Sequence, residues 1–253
     1  MIETFIALLL AHALADFVFQ TGWIHANKRR PGAMLLHGLI VLVTAQAALG
    51  QVAAPELAVL AVAHLVIDVV KTHGRFTGPG AFLADQAALL VTLVAVAGWA
   101  PGLWAGGFHA TQLPGPVAML LAQIAALGAG LILALRAGRF WVQTLMEAHA
   151  AQAPPTRADH DADHGLPRGG QTIGHLERLL IFVLTLTGQP AAIGFLVAAK
   201  SILRFGTVHE DRRASEYVII GTLASFGWAI VVAQATRGLL TLLPGLEIGP
   251  LLS

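Results

Sequence analysis

The sequence predicts an all-α fold, a polytopic transmembrane helical bundle of about eight spans. Three observations predict it. The chain has 253 residues, 56% of them hydrophobic and only 11% charged, where soluble domains run at about 45–50% apolar and about 25% charged. The mean hydropathy is +0.73. The apolar residues fall into runs long enough to cross a bilayer, which takes about 20 residues each, with about 17–25 tolerated.

The expected spans are 2–19, 33–50, 56–71, 81–100, 115–136, 173–188, 190–205 and 216–238. The first could be mistaken for a cleaved signal. It has no Lys or Arg before its apolar run and carries His12 and Asp16, so it reads as a retained helix. The sixth and seventh are short and divided by Gly188-Gln189-Pro190, a turn signal. If residues 173–205 are re-entrant, the count falls to seven or fewer. Span five has no ionisable residue before Arg136 and reads as lipid-facing or packing helix. Trp99 and Trp104, in the Gly/Trp/Pro-rich stretch at the end of span four and beyond it, suit an interfacial belt. The domain expectation is a five-helix membrane part at 1–138, a polar, flexible cytoplasmic loop at 139–172, and a three-helix membrane part at 173–253.

Orientation follows from the cations. Lys28, Arg29 and Arg30 fill the first loop, Lys71 and Arg75 the third, Arg136, Arg139, Arg157 and Arg168 the fifth, and Arg212 and Arg213 the seventh. Arg178, Lys200 and Arg204 stand at helix ends on the same side. Of the 15 Lys and Arg residues only Arg237 falls opposite. The expected location is therefore a bacterial inner membrane, with multiple passes, both termini outside and the charged loops cytoplasmic. With no cysteine and a net charge of +1, disulfides and thiolate metal sites are excluded, and nothing favours a nucleic-acid partner.

This topology gives each polar residue a depth. At about 1.5 Å per residue, Asp16 lies about 6 Å and His12 about 12 Å inside the cytoplasmic boundary. His64 and Asp68 fall at similar depths, His37 lies one turn into span two, and Asp85 and Gln86 lie one to two turns into span four. Glu177, Arg178, Lys200, Arg204 and Glu216 occupy the same layer in the second half. His12, Asp16 and Gln20 follow i, i+4, i+8 spacing; His64, Asp68 and Lys71 follow i, i+4, i+7, so each set should share one helix face. The repeated HxxxD, 52 residues apart, suggests a duplicated helix pair. It is imperfect, because Leu89 stands where the repeat of His37 would fall.

HALADFVFQTGWIHANK, HLVIDVVK and the DQ at 85–86 resemble an uncharacterised group of bacterial integral membrane proteins classed as a domain of unknown function. So do IGHLERLLIFVLTLTGQPAAIGFLVAAKSILRF and EYVIIGTLASF near the end. In that group a His often follows the DQ pair, whereas this chain has Leu89. The resemblance implies a membrane bundle and carries no activity, so the chemistry has to come from the residues.

Three readings fit the polar layer. In the first, His12, Asp16, His37, His64, Asp68 and Asp85 hold a divalent metal ion: zinc, manganese, iron or magnesium. Facing helices of a bundle build metal sites with ligands at this spacing. Such an ion activates water toward an ester or phosphoester, with Asp16, Asp68 and Asp85 as the catalytic carboxylates. Arg178, Lys200 and Arg204 would clamp an anionic group such as a lipid head group, and Gln20, Lys71, Gln86, Glu177 and Glu216 would support. The second reading is a proton- or ion-coupled transporter. The third is that these groups only hold helices together, with Glu177, Lys200, Arg204 and Glu216 paired across helices. ADHDADHG at 158–165 could bind metal but reads better as a solvated loop. GTLASFG at 221–227 reads as a small-residue packing face.

Overall fold

A computed structural model describes residues 1–150, 169–205 and 212–243, with side chains described outside 203–205 and 212–215. The described residues form helices and connecting turns, with no strand among them. In chain order these are α1 (Ile2–Leu14), continued as a π-helical turn (Ala15–Phe19), then α2 (Gly22–Ala26), α3 (Pro31–Leu49), α4 (Pro55–His73), α5 (Gly78–Trp99) and α6 (Phe108–Gln112). There follow α7 (Gly115–Ile132), a second π-turn (Leu133–Ala137), α8 (Gly138–Ala150), α9 (Gly169–Leu186), α10 (Pro190–Phe205) and α11 (Arg212–Thr241).

Five stretches are long and apolar enough to cross a membrane: Ile2–Phe19, Pro31–Leu49, Gly78–Trp99, Gly115–Ala150 and Glu216–Thr241. The other three expected spans are helices as well, and each differs for a visible reason. Pro55–His73 carries Glu56, Asp68 and Lys71; Gly169–Leu186 opens on a polar first turn and carries Glu177 and Arg178; the apolar part of the next helix is short, Pro190–Ile202. Helix also runs on past the expected end of span five. RFWVQTLMEAHA contains no breaker, and Gln143 donates to Glu147 one turn on at 2.8 Å. The stretch expected as loop from 139 is therefore helical to Ala150. The ADHDADHG segment lies outside the described residues.

The chain divides into two compact units, one of Met1–Leu133 with the segment from Ala235, the other of Ala134–Gln234. In the first, α1 is the central helix and packs on α3, α5 and α7, while α4 packs on α3 and α5. Nearly the whole circumference of α1 is buried, from Thr4 to Ala13, which suits a helix that is apolar all round. The outer helices are two-faced. On α3, His37, Val41 and Ala45 are buried while Leu35, Leu39 and Val43 are exposed. On α4, His64 and Asp68 are buried while Val59, Val62 and Val66 are exposed. On both helices the ionisable residues of mid-helix face in beside small and aliphatic ones, and the exposed face is aliphatic, an arrangement compatible with a lipid solvent.

The end of this unit near Thr4 is tied by backbone groups. Gly50, at φ 65°, closes α3 with the paired bonds Gly50 N to Ala47 O and Gln51 N to Gln46 O. Phe108 N donates to Gly50 O at 2.8 Å, Gln51 Nε2 to Leu103 O at 2.7 Å, and Thr4 Oγ1 to Pro101 O at 2.8 Å. Gly107 is in direct backbone contact here, because a Cβ on it would collide with the Leu49 carbonyl.

In the second unit, Ile181, Phe226 and Ala229 form a core packed by Ile193, Leu196 and Ile230. The turn between α9 and α10 is set by Gly188 at φ 71° and by Pro190 at the helix start. Gly221 of the GTLASFG face lies against Met146, where a Cβ would sit 3.3 Å from its sulfur. Gly107→Ala should cost about 1–3 kcal/mol, the usual penalty for overpacking. The check is a lower thermal midpoint in detergent, with helix content at low temperature unchanged.

Candidate metal centre

The site is assembled by three helices of the first unit. Small residues let them approach: Ala15, Val41 and Ala61 pack together from α1's π-turn, α3 and α4. Next to His37, Gly38 leaves room for Leu65, whose Cδ1 would stand 2.6 Å from a Cβ there. That contact brings α4 against α3 beside the two histidines. The π-turn does the rest. Gln20 N bonds Ala15 O five residues back, at 3.0 Å, which adds a residue to the turn and rotates the residues beyond it onto a different face. Asp16 sits within this turn, while Gln20 leaves the shared face and bonds His25 Nδ1 at 3.2 Å. The expected i+8 alignment of Gln20 with His12 is thus broken.

His37 Nε2 and His64 Nε2 lie 3.2 Å apart. Asp16 Oδ1 is 3.4 Å from the first and 3.2 Å from the second. Asp68 Oδ2 is 3.2 Å from His37 Nε2 and 3.7 Å from His64 Nε2. His12 Nδ1 lies 3.7 Å from Asp16 Oδ2. His37 is 0%, His64 2% and Asp68 3% exposed, so water does not carry these charges. Two three-residue groups have ligand atoms close enough to hold a metal ion, His12–Asp16–His64 and His37–His64–Asp68, and they share His64.

The protons available are too few for the acceptors. Asp16 Oδ1, Asp68 Oδ2, Asp85 Oδ1, His12 Nδ1 and His37 Nδ1 are buried without a hydrogen-bond partner. Around His37 Nε2 stand three acceptor-capable atoms within 3.4 Å, and one ring N–H can point at only one of them. His12 is fixed more tightly still. Gln86 Nε2 donates to Asp85 Oδ2 at 3.3 Å, which turns Gln86 Oε1 toward His12 Nε2, also at 3.3 Å. His12 then carries its proton on Nε2 and aims the Nδ1 lone pair toward Asp16. A ring held through its second nitrogen in this way is the usual support of a metal-binding histidine. Lone pairs facing carboxylates repel unless a cation lies between them. The residues present therefore fit a divalent ion.

The sequence-predicted residues do not all converge. His12, Asp16, His37, His64 and Asp68 come together. Asp85 is drawn aside: its Oδ2 takes Lys71 Nζ at 2.6 Å and Gln86, and it belongs to neither metal-capable group. It supports through Gln86. Lys71 is likewise an ion-pair partner of Asp85 rather than a neighbour of His64. Arg178, Glu177 and Lys200 lie in the second unit, where Lys200 Nζ holds Glu177 Oε2 at 2.7 Å, so Lys200 is already neutralised. Glu216 is exposed at the start of the apolar part of α11, and the Arg204 side chain lies outside the described ones.

One residue of this polar cluster escapes sequence reasoning. Lys28, from the first loop, reaches Asp68 Oδ1 at 2.7 Å with only 14% of its side chain exposed. In the sequence it is one of three loop cations, and no spacing marks it out. The polar groups thus form a string with a lysine at each end: Lys71, Asp85, Gln86, His12, Asp16, His64 and His37, Asp68, Lys28. Lys71 offsets Asp85 and Lys28 offsets Asp68, leaving Asp16 as the uncompensated charge when the histidines are neutral. Outside the spans, His25 is held below its ordinary value of 6.5 by partial burial and by Lys28 and Lys71, with Asp68 acting the other way.

Residues 4–105 match the family model described as "Protein of unknown function (DUF3307)". The match takes in every member of the polar string and none of the second unit. Neither the curated proteins nor the solved structures contain a significant match.

Lys28→Met strands the Asp68 charge in a dry site and should destabilise the protein by about 3 kcal/mol. Lys28→Met with Asp68→Asn should recover most of that loss in a double-mutant cycle of thermal melts. For His25 the folded state binds the proton less readily than the unfolded one. Its protonation therefore works against the fold as pH falls below 6.5 and has no effect well above it. A ring-proton NMR titration should place its midpoint below 6.5, and Lys71→Gln should move that midpoint upward.

Proposed function

We propose that this chain is a membrane-embedded metal-dependent hydrolase. In this reading the eight expected spans cross a bacterial inner membrane, and the site opens toward its cytoplasmic leaflet. Five residues would hold one divalent ion, zinc, manganese, iron or magnesium: His12, Asp16, His37, His64 and Asp68. The substrate class is an anionic ester close to the membrane, such as a phosphoester of a lipid head group. The observation that carries the reading is the convergence of His37 Nε2, His64 Nε2, Asp16 Oδ1 and Asp68 Oδ2, with separations of 3.2–3.7 Å between the nitrogens and the carboxylate oxygens. Two ligands of one ion, each about 2.0–2.2 Å from it and held at a tetrahedral angle, stand about 3.3–3.6 Å apart.

The bound ion would supply Lewis acidity and an activated water. The chain's own residues supply position and charge. Gln86 holds the proton of His12 on Nε2. Lys28 offsets the Asp68 charge and engages the oxygen not turned to the histidines. Asp16, the carboxylate without a lysine, is the group best placed to take a proton from water. Exclusion of bulk solvent by α1, α3 and α4 strengthens each of these interactions.

A second reading is favoured by the 3.2 Å His37–His64 contact, which also suits a shared proton in an ion- or proton-coupled transporter. The two readings separate in one measurement. The hydrolase reading expects about one divalent ion per chain by elemental analysis after mild purification in detergent, lost in Asp16→Ala and in Asp68→Ala. A wild-type protein that retains no metal, and whose thermal midpoint does not rise when zinc, manganese, iron or magnesium is added, would sink it. Pumping or leak of protons by metal-free protein in liposomes would support the second reading.

A further inference from the structure

Arg178 is buried on α9 at 4% exposure. Its Nη1 donates to Ser225 Oγ on α11 at 3.0 Å, and its Nη2 lies 3.3 Å from His175 Nδ1 one turn earlier. That Nδ1 also faces the Gln171 carbonyl oxygen at 3.2 Å. Nε is buried and has no hydrogen-bond partner. Among the described residues no carboxylate pairs with this guanidinium. The adjacent acid, Glu177, is held by Lys200 at 2.7 Å, and that lysine also lies over the Phe226 ring at 5.3 Å. The other charge acting on Arg178 is Arg139, of its own sign, and Arg136 and Arg139 both act on His175.

A guanidinium does not shed its proton in a protein, so a buried one requires an anion or costs stability. Two glycines let the backbone pack closely against it. Gly138 stands where a Cβ would be 3.0 Å from Arg178 Cδ, and Gly174 where one would be 3.3 Å from Nη1. Donors remain for a ligand. Nε–H is free, and Ser225 accepts from Arg178 and so has its own hydroxyl proton to give. Donors contributed from two helices, with further arginine charge on the flank, match a compact multi-oxygen dianion better than a single carboxylate.

We propose that Arg178 and Ser225, flanked by Arg139 and His175, bind the phosphate group of a phosphomonoester, presented as a lipid head group or as free phosphate. The site is built within the second unit, and it stands whether or not the first unit holds a metal.

The test uses the full-length protein. In neutral detergent, inorganic phosphate is titrated by calorimetry. In a second arm, phosphatidylcholine nanodiscs with and without phosphatidic acid are analysed for retained lipid by native mass spectrometry. Wild type should bind at least one of the two probes, and Arg178→Gln should weaken it about 10-fold or more. Ser225→Ala, which removes one hydroxyl and leaves the helices intact, should weaken it about three- to ten-fold. It decides the matter if Arg178→Gln does not fold. Binding of inorganic phosphate assigns a free-phosphate site, and binding of phosphatidic acid alone assigns a lipid head group. Binding of neither probe overturns the proposal. So does equal binding by wild type and both variants, or acetate binding as tightly as phosphate.

Discussion

A carboxylate inside an apolar bundle has to be met by a cation or a proton, and the first unit is organised around that demand. Asp16, Asp68 and Asp85 each stand on a mostly apolar helix. The carboxylates turn inward with part of the apolar residues, while other aliphatic residues of α3, α4 and α5 stay exposed. Helix rotation about each axis is therefore fixed by electrostatics as much as by packing. The small residues on α1, α3 and α4 follow from the same demand, since donor and acceptor atoms meet at about 3 Å only if the backbones that carry them come close.

The three carboxylates are met in different ways, and the difference separates structure from chemistry. Asp85 has Lys71 and Gln86 and is close to saturated on one oxygen. Asp68 has Lys28 on one oxygen and imidazoles on the other. Asp16 has imidazoles alone. A purely structural network would be expected to close its hydrogen bonds, because half-satisfied networks cost more than an apolar core. Here each of the three carboxylates keeps one buried oxygen without a hydrogen-bond partner, Asp16 Oδ1, Asp68 Oδ2 and Asp85 Oδ1, and the first two of these face the histidines. The second unit shows the contrast: Glu177 and Lys200 close on each other, and the open valence passes to Arg178.

Much of the site is legible in the sequence because helical spacing is simple. HALAD and HLVID place an imidazole and a carboxylate one turn apart, and a charge-derived topology places both pairs at one depth with His37 beside them. The pairing of Glu177 with Lys200 is legible in the same way. Asp85 reads as a ligand, since an expected depth does not reveal which neighbour a side chain chooses. The π-turn is illegible: ADFVF differs in no obvious way from an α-helical segment, and one extra residue in a turn moves Gln20 off the face it is expected to share. Lys28 is illegible for another reason. A loop cation has no periodicity to place it, and its approach to Asp68 depends on α2 and the turn before α3. The polar stretch from 139 onward reads as loop when polarity is weighed above helix propensity, yet RFWVQTLMEAHA has ample propensity to remain helical.

Lys28 and Lys71 also bear on the order of events in the life of this chain. In the proposed membrane topology both lysines would be hydrated charges while the nascent helices enter the bilayer, holding their loops on one side. Once the helices pack, Lys28 is joined to Asp68 and Lys71 to Asp85. On that proposal the same two charges would act twice, first in orientation and then in neutralisation. A hairpin threaded the wrong way would forfeit both uses together, leaving two acids without partners in a misoriented bundle. Such a chain would be less stable, so the contacts that finish the site would also favour the proposed orientation.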